Sequence, residues 1–333
     1  MRVFLLIIAI LFVGNKWMFS QQIPVFSMMN TDEFIYNPAY AGANPYLTAH
    51  AKQRLQYLGV DYAPNTQMIS VESSISGRNF GIGGYFINET NGVLGKMQGM
   101  ATYAYHIPLA DETSLSFGVS VGIHQLRTIA GRMILHNMDD NLLNTQTNQR
   151  KSFFNSNAGM LLHGEMYYVG YSLLNTFNTD YSIYSGSQLD QQFHHHMHYG
   201  LKFYSGTDGL ITLSGRHVLT KGLPAWHQFG VLYDYNERFF GGLQFRWGDA
   251  IIGMVGAKIW DELRFYYAYD FGVGGYRSAN SGSHELSLIY QFHYDPIYSK
   301  DKKRYSNKVH RGWKISFKKK PKLVMPEELP DSP

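Results

Sequence analysis

Four histidines are the strongest candidates for metal chemistry, and they lie within His194–His198, interrupted only by Met197. In a β-strand, alternate side chains point to the same side, so His194, His196 and His198 share one face about 6–7 Å apart. Two of them can chelate one ion if the chain bends. No acidic or cysteine ligand accompanies them, however, so the favoured interpretation is polar residues before and within a strand. No metal site is predicted.

A second candidate for chemistry is Gly118–Gly122, which matches the G-x-S-x-G pattern of serine hydrolases with Ser120 as nucleophile. That nucleophile requires a sharp turn from strand to helix. Ser120 instead lies in the middle of an alternating strand-like segment, so the hydrolase interpretation is rejected. His136 with Asp139 and Asp140 forms a similarly weak polar cluster in a predicted loop.

The composition excludes several further classes of chemistry. The chain has no cysteine, which removes disulfide scaffolds, cysteine-based zinc sites, iron–sulfur clusters and thiol catalysis. No phosphate-binding loop or dinucleotide fingerprint is present. Charged residues make up 16% of the 333 residues, against roughly 25% in soluble domains. With 15% aromatic residues and 33 glycines the chain is not disordered. No cofactor and no enzymatic activity are predicted.

Residues 1–20 predict a secretory signal peptide. Arg2 supplies the positive charge, and Phe4–Val13 is an apolar core too short to cross a bilayer as a helix. Cleavage is expected after Ser20. The alternative is an uncleaved anchor, which the short apolar core disfavours.

The rest of the chain alternates with a period of two, which is typical of β-strands. In Ser114–His124 the odd-numbered residues are apolar and the even-numbered residues are Ser, Gly and His. Leu263–Phe271 and His284–His293 alternate in the same way, with Ile289 the one apolar residue on the polar face of the last segment. The fourteen predicted strands are 47–55, 67–75, 79–89, 96–107, 114–124, 152–163, 166–174, 197–205, 209–217, 226–235, 238–247, 250–259, 263–271 and 284–293.

These strands predict an all-β fold, a transmembrane antiparallel β-barrel of about 14 strands, followed by a basic tail. Each segment is close to the 9–11 residues or so that a tilted strand needs to cross a bilayer. The apolar faces would contact lipid and the polar faces would line the lumen. The predicted domains are an N-terminal periplasmic element (21–45), the barrel (46–294) and a periplasmic tail (295–333). The alternative is a soluble β-sandwich, whose strands also alternate.

Several short motifs, in order along the chain, resemble one known family. Tyr36–Gly42 is similar to its N-terminal NPAYAG element, and Arg54–Gln67 to its RxQWxGxxGAPxTQ stretch, with Tyr57 for the usual Trp and Tyr62 for a Gly. Over about residues 21–294 the chain resembles the PorP/SprF family. The motif residues that the resemblance marks as possible partner contacts are Asn37, Pro38, Tyr40, Gly42, Arg54, Gln56, Gly59, Pro64, Ser283, His284 and Glu285.

The resemblance implies a non-enzymatic component of the type IX secretion and gliding machinery in a bacterial outer membrane. Proteins of this family assist export or surface attachment of a cargo protein, here expected to be a secreted adhesin. The implied partners are periplasmic and outer-membrane components of that machinery and the lipid bilayer. The alternative function is a passive outer-membrane channel for small solutes, which the polar strand faces suggest.

The motifs also have local physical interpretations. Pro38 fixes its own φ and biases Asn37 away from helix, so together with Gly42 they predict a stiff, bent entry into the first strand. This bent segment either plugs the barrel, lies at its periplasmic rim, or serves only for packing. Arg54 and Gln56 have the same parity and are expected to face the lumen, where Asp270 or Glu285 can pair with the arginine.

The C-terminal tail is strongly basic. Lys300–Lys322 holds eleven lysines and arginines and a single acid. It is interpreted as a solvated arm, as a contact for an anionic partner, or as a short strand that adds to a partner's sheet through its alternating Trp313, Ile315 and Phe317. Nucleic acid is not expected as a partner. The candidate contacts are Lys302, Lys303, Arg304, Arg311, Trp313, Lys318, Lys319 and Lys320.

Truncation before Asp295 tests the tail. We expect a barrel that remains folded and heat-modifiable in gel electrophoresis, because the tail follows the last predicted strand. Recovery of periplasmic partners in pull-downs should fall. If the truncated chain recovers as much of the periplasmic partners as the full chain does, the tail is only a solvated arm.

Overall fold

The computed structural model describes residues 24–44, 46–75, 79–110, 112–132, 149–177, 192–273 and 281–292. Fourteen strands are present in these ranges: β1 (Leu47–Leu55), β2 (Asn65–Ser74), β3 (Phe80–Asn91), β4 (Leu94–Ala110), β5 (Thr113–Thr128), β6 (Arg150–His163), β7 (Tyr167–Leu174), β8 (His194–Ser205), β9 (Gly209–Thr220), β10 (Trp226–Tyr235), β11 (Phe239–Arg246), β12 (Ala250–Lys258), β13 (Leu263–Gly272) and β14 (Ser283–Phe292). Two 3₁₀ turns, Pro38–Tyr40 and Ala130–Arg132, accompany them. No helix in the described ranges is long and apolar enough to cross a membrane.

The strands form one closed antiparallel barrel. Each pairs with its neighbours in the sequence, and β1 closes the ring by pairing with β14, so that Arg54 lies opposite Glu285. Closure satisfies the backbone hydrogen bonds within the ring and leaves no free edge. The predicted fold and the strand number are confirmed. The largest difference in bounds is in β4 and β5, which extend beyond the predicted segments 96–107 and 114–124.

The two faces of each strand differ as the alternation predicts. On β5, Phe117, Val119 and Ile123 are 43%, 53% and 61% exposed, whereas Ser116 and Ser120 are buried in the lumen. An outer surface of this composition is suited to lipid, because the apolar groups need no hydrogen-bond partners there.

The connections differ between the two ends of the barrel. We call the end where β1 begins and β14 ends the terminal end, and the opposite end the loop end. Connections at the terminal end are short, as at residues 206–208 and 236–238, where Asn236 and Glu237 adopt positive φ. The longest connections, residues 129–149 and 175–193, are at the loop end.

Residues 24–44 lie inside the barrel, and we call this segment the plug. Its Ser27 contacts β13 and β14, its Tyr36 contacts β7, and its Ala41 contacts β4, so the plug touches the wall on opposite sides. The segment runs from the loop end towards the terminal end, where the chain turns and enters β1. The predicted periplasmic element 21–45 therefore includes residues that occupy the lumen.

The plug forms a mixed apolar and polar core with the inner wall. Met28 packs in a cluster with Ile252, Met254 and Ile289. The apolar Ile289, an exception on the polar face of β14, is thus explained by its membership of this buried apolar cluster inside the barrel. A second cluster joins plug residues to β2, β3, β4 and β7, and comprises Phe26, Phe34, Ile35, Tyr36, Ala41, Met68, Tyr85, Ile87, Met100, Ala104 and Leu174.

Close approach of plug and wall requires glycine at particular positions. A Cβ atom on Gly118 of β5 would lie 2.3 Å from the carbonyl carbon of Pro38. Gly42 has a φ of +68°, and a Cβ there would lie 2.5 Å from the Cα of Gly81. Both contacts are with backbone, which cannot move aside as a flexible side chain would.

Substitution Gly118→Ala tests this fit. The added methyl group should displace the plug or strain the wall and lower the free energy of unfolding by about 1–3 kcal/mol, the usual cost of overpacking. Urea unfolding in lipid vesicles measures it. Gly241→Ala is the matched control, since nothing lies within 4 Å of the Cβ position there. Equal stability of the two variants would contradict the fit.

Candidate functional site

Asn37 connects the plug to the wall. Its side-chain oxygen accepts a hydrogen bond of 3.0 Å from the Ala39 amide and caps the 3₁₀ turn, while its Nδ2 donates at 3.0 Å to the carbonyl of Met160 on β6. Pro38, which follows, has no N–H to satisfy and a φ suited to the first position of such a turn. The Asn-Pro pair therefore sets the course of the plug through the lumen, and both residues are buried.

The histidine run supplies aromatic partners for the plug. His194, His196 and His198 point into the lumen and are buried. The Tyr36 ring stacks on His196 at 5.1 Å between centroids, and Tyr40 packs against His198 at 5.4 Å. Among the described residues, no group of three or more His, Cys, Asp or Glu side chains is arranged to hold a metal ion.

A cluster of buried charges lies in the lumen near the loop end. Arg54 on β1 pairs with Asp270 on β13 at 2.8 Å and with Glu285 on β14 at 3.2 Å. Arg246 on β11 pairs with the same Asp270 at 3.0 Å and with Asp249 at 2.9 Å. The parity of β1 and β14 thus brings opposite charges from both sides of the closing seam into contact.

The plug completes this charge cluster through Ser27. The Ser27 amide donates to Glu285 Oε2 at 2.5 Å, and the Ser27 hydroxyl donates to Asp270 at 2.5 Å. Glu285 Oε1 also accepts from the Met28 amide at 3.2 Å. Hydrogen bonds to charged groups are stronger than neutral ones, so the carboxylates that neutralise Arg54 also anchor the start of the plug.

A second ion pair holds the middle of the plug. Arg216 on β9 donates to Glu33 at 3.0 Å and to the carbonyl of Met29 at 2.8 Å. Its guanidinium lies over the Tyr36 ring with the central carbon 4.1 Å from the ring centroid, a cation–π contact. One wall arginine therefore contacts three residues of the plug.

The second family motif forms the connection between β1 and β2 at the loop end. Gln56 and Pro64 close it through a 2.9 Å hydrogen bond from the Gln56 amide to the Pro64 carbonyl. The Tyr57 amide donates to the Ser283 hydroxyl at 3.2 Å, and burial raises the pKa of the Tyr57 phenol. Gly59 adopts a φ of +93° in this loop. The loop is thereby joined to the start of β14.

The motif residues therefore separate into four places. Asn37, Pro38, Tyr40 and Gly42 are in the plug, and Arg54 and Glu285 are in the charge cluster. Gln56, Gly59, Pro64 and Ser283 are at the β1–β2 loop. His284 lies apart from them, on the outer side of β14, where its Nδ1 is 2.8 Å from the Tyr267 hydroxyl.

Sequence reasoning missed several residues of the site, namely Ser27, Glu33, Arg216, Arg246 and two wall glutamines, Gln228 and Gln244, which hydrogen-bond to the main chain of Ser27 and Met29. The four wall residues occupy inward-facing positions of their alternating strands. This parity is the one feature of the sequence that indicates their place in the lumen. Ser27 and Glu33 belong to a segment without periodicity, so nothing in their spacing indicated a contact with the wall.

The remaining sequence candidates add no site in the described ranges. Ser120 lies in the middle of β5, and its hydroxyl is 2.6 Å from that of Thr102 on β4, without a strand-to-helix turn. His136, Asp139, Asp140, the signal peptide 1–20 and every candidate contact in the tail lie outside the described residues.

Substitution Arg54→Met tests the charge cluster. Loss of the guanidinium leaves two buried carboxylates without a full counter-charge, so we expect the free energy of unfolding to fall by about 3–5 kcal/mol. Urea titration followed by tryptophan fluorescence measures it. The control is Lys258→Met, whose partner Asp261 is 90% exposed, and which should cost less than about 1 kcal/mol. Similar losses in both would argue against the cluster.

Two solved structures resemble this chain, and the first of them supports the barrel fold. The toluene transporter TbuX of Ralstonia pickettii matches with a TM-score of 0.50 at 9% identity, over 79% of this chain and 93% of that one. A Pseudomonas aeruginosa FadL homologue matches at 11% identity over 78% and 94% of the two chains, with a TM-score of 0.45. No curated protein matches the chain.

The family comparison extends beyond the fold. The family model described as type IX secretion system membrane protein PorP/SprF matches residues 18–290, a range that includes the plug and almost the whole barrel. Together with the barrel, this supports a location in the bacterial outer membrane. The chain belongs to the PorP/SprF family of type IX secretion system membrane proteins.

Proposed function

We propose that the chain is a non-enzymatic accessory of type IX secretion and gliding that assists export or surface attachment of one cargo protein, a secreted adhesin. The observation that carries the proposal is the filled lumen of a family member. Residues 24–44 are held by buried ion pairs and apolar clusters that together touch most of the wall. A permanently water-filled pore would not need such a segment.

The orientation in the membrane is part of this proposal. Outer-membrane barrels generally have short periplasmic turns and longer extracellular loops. By that rule the terminal end of this barrel faces the periplasm and the loop end faces the cell surface. The basic tail 295–333 then leaves β14 on the periplasmic side, where components of the machinery are available as partners. The 21–45 element joins β1 on that same side.

The second candidate function is a passive channel for small solutes. TbuX is named a toluene transporter, and toluene is a small solute. Similarity at 9% identity, however, supports the fold and not the activity. The polar residues of the inner wall favour the channel, whereas the plug favours the accessory.

Deletion of the gene tests the accessory function. We expect surface display of one dedicated adhesin to fall to background, because its helper is missing, while uptake of small antibiotics stays normal. Flow cytometry with antibodies and antibiotic sensitivity measure the two. Complementation with Ser120→Ala should restore display fully, since that hydroxyl is not expected to do chemistry.

Two outcomes would contradict the accessory function. Unchanged display of every surface adhesin would remove its basis. Steady single-channel conductance of the intact chain in planar bilayers, together with normal display in the deletion strain, would establish the passive channel instead.

A further inference from the structure

The loop-end half of the lumen makes five hydrogen bonds to the main chain of the plug, besides its contacts with the Ser27 and Met28 side chains. Glu285 accepts from the first two amides of Ser27–Met29, at 2.5 and 3.2 Å, and Gln244 accepts from the third at 3.4 Å. Gln228 and Arg216 donate to the first and last carbonyls of the same tripeptide, each at 2.8 Å. Main-chain contacts of this kind are available to a peptide of almost any sequence that can follow the bent course of this segment, which has a bend at Ser27 and a turn at Met29–Asn30.

Two residues separate this tripeptide from Asp32 and Glu33, where the wall offers groups that favour acidic residues. Arg216 pairs with Glu33 at 3.0 Å. Asp32 accepts a 3.3 Å hydrogen bond from Ser70, and His50 Nδ1 lies 3.9 Å from the same carboxylate. Lys52 is buried beside them and donates to the Thr31 hydroxyl at 2.8 Å. The sequence preference of the site is therefore for adjacent carboxylates.

The way in which the plug is attached allows it to leave. In the described residues its one regular element is the 3₁₀ turn Pro38–Tyr40, and it is not paired with any strand of the barrel. Its link to β1 is at the terminal end, whereas residues 24–33 lie towards the loop end. Withdrawal of residues 24–33 would thus break side-chain contacts but no strand pairing.

We propose that this half of the lumen is a binding site for an acidic peptide segment of a partner protein, and that residues 24–33 occupy it until that segment replaces them. The wall residues of the site are Arg216, Gln228, Gln244, Asp270, Glu285 and Lys52. The proposal rests on the proposed function for one point, that the partner is the cargo. Exchange of one peptide for another at this site would couple arrival of the cargo to opening of the plug.

The absence of cysteine from the chain provides a direct test. In detergent micelles, the full-length Ser27→Cys variant should react slowly with a polar maleimide, because Ser27 is buried. A synthetic peptide of residues 24–44 at millimolar concentration should accelerate labelling at least tenfold. Millimolar peptide is required because a tethered segment has an effective concentration of about that order. The control, Asp261→Cys, should react rapidly with or without peptide, since its side chain is 90% exposed.

Peptide variants test the chemistry of the site. A peptide with Asp32→Asn and Glu33→Gln should accelerate labelling much less than the original. A fluorescent 24–44 peptide should also bind saturably to a barrel that lacks residues 24–33, with at least tenfold lower affinity when that barrel carries Arg216→Met. If the truncated barrel does not fold, the labelling experiment decides alone.

Unchanged labelling of Ser27→Cys at saturating peptide would overturn the proposal, and so would equal effects of the acidic and neutralised peptides. Peptide exchange with normal adhesin display in the deletion strain would overturn the accessory function and leave the peptide site. Loss of adhesin display in the deletion strain, without peptide exchange, would overturn the peptide site and leave the accessory function.

Discussion

The structure depends on the neutralisation of charges that have been removed from water. Arg54, Arg246, Asp270 and Glu285 lie in a lumen where each is buried, and an unpaired buried charge costs several kcal/mol. They come from β1, β11, β13 and β14, so their pairing requires those strands to be in register around the ring. Ser27 donates to both carboxylates, through its amide to Glu285 and through its hydroxyl to Asp270, and the Met28 amide donates to the other oxygen of Glu285. One set of contacts therefore stabilises the closure of the barrel, the register of its strands and the position of the plug.

The second constraint is steric, and it makes the wall and the plug one packed unit. Small inward-facing residues such as Gly118 let the backbone of Pro38 approach the sheet, and Gly42 turns the chain before it enters β1. Aromatic side chains of the plug, such as Tyr36, then fill the wider space beside β8 and β9. The lumen is therefore packed around the plug in the manner of a protein core, although its wall carries many polar groups.

The barrel was predictable from sequence because its signal is local. Alternation along a strand such as β5 appears in each segment independently, and repetition over fourteen segments gives the architecture. The inward position of Arg54 followed from the same parity. The plug was not predictable in this way, because Ser27 and Glu33 lie in a segment that has neither the period of a strand nor that of a helix. Their partners are also distant in the sequence. The family motif drew attention to Asn37 and Pro38 but did not show what they contact, and it also marked His284, which lies on the outer side of β14.

The closing seam has a consequence for biogenesis. Ser27 and Glu285 are separated by 258 positions, so Ser27 in the plug obtains its Glu285 partner only after β14, the last strand of the barrel, has been delivered. Contacts of such long range form slowly and late. A chain that ended before β13 would retain Arg54 but lack both of its carboxylate partners, and Ser27 would lose its hydrogen bonds to Asp270 and Glu285. The same ion pairs that stabilise the finished barrel therefore distinguish complete chains from incomplete ones during assembly.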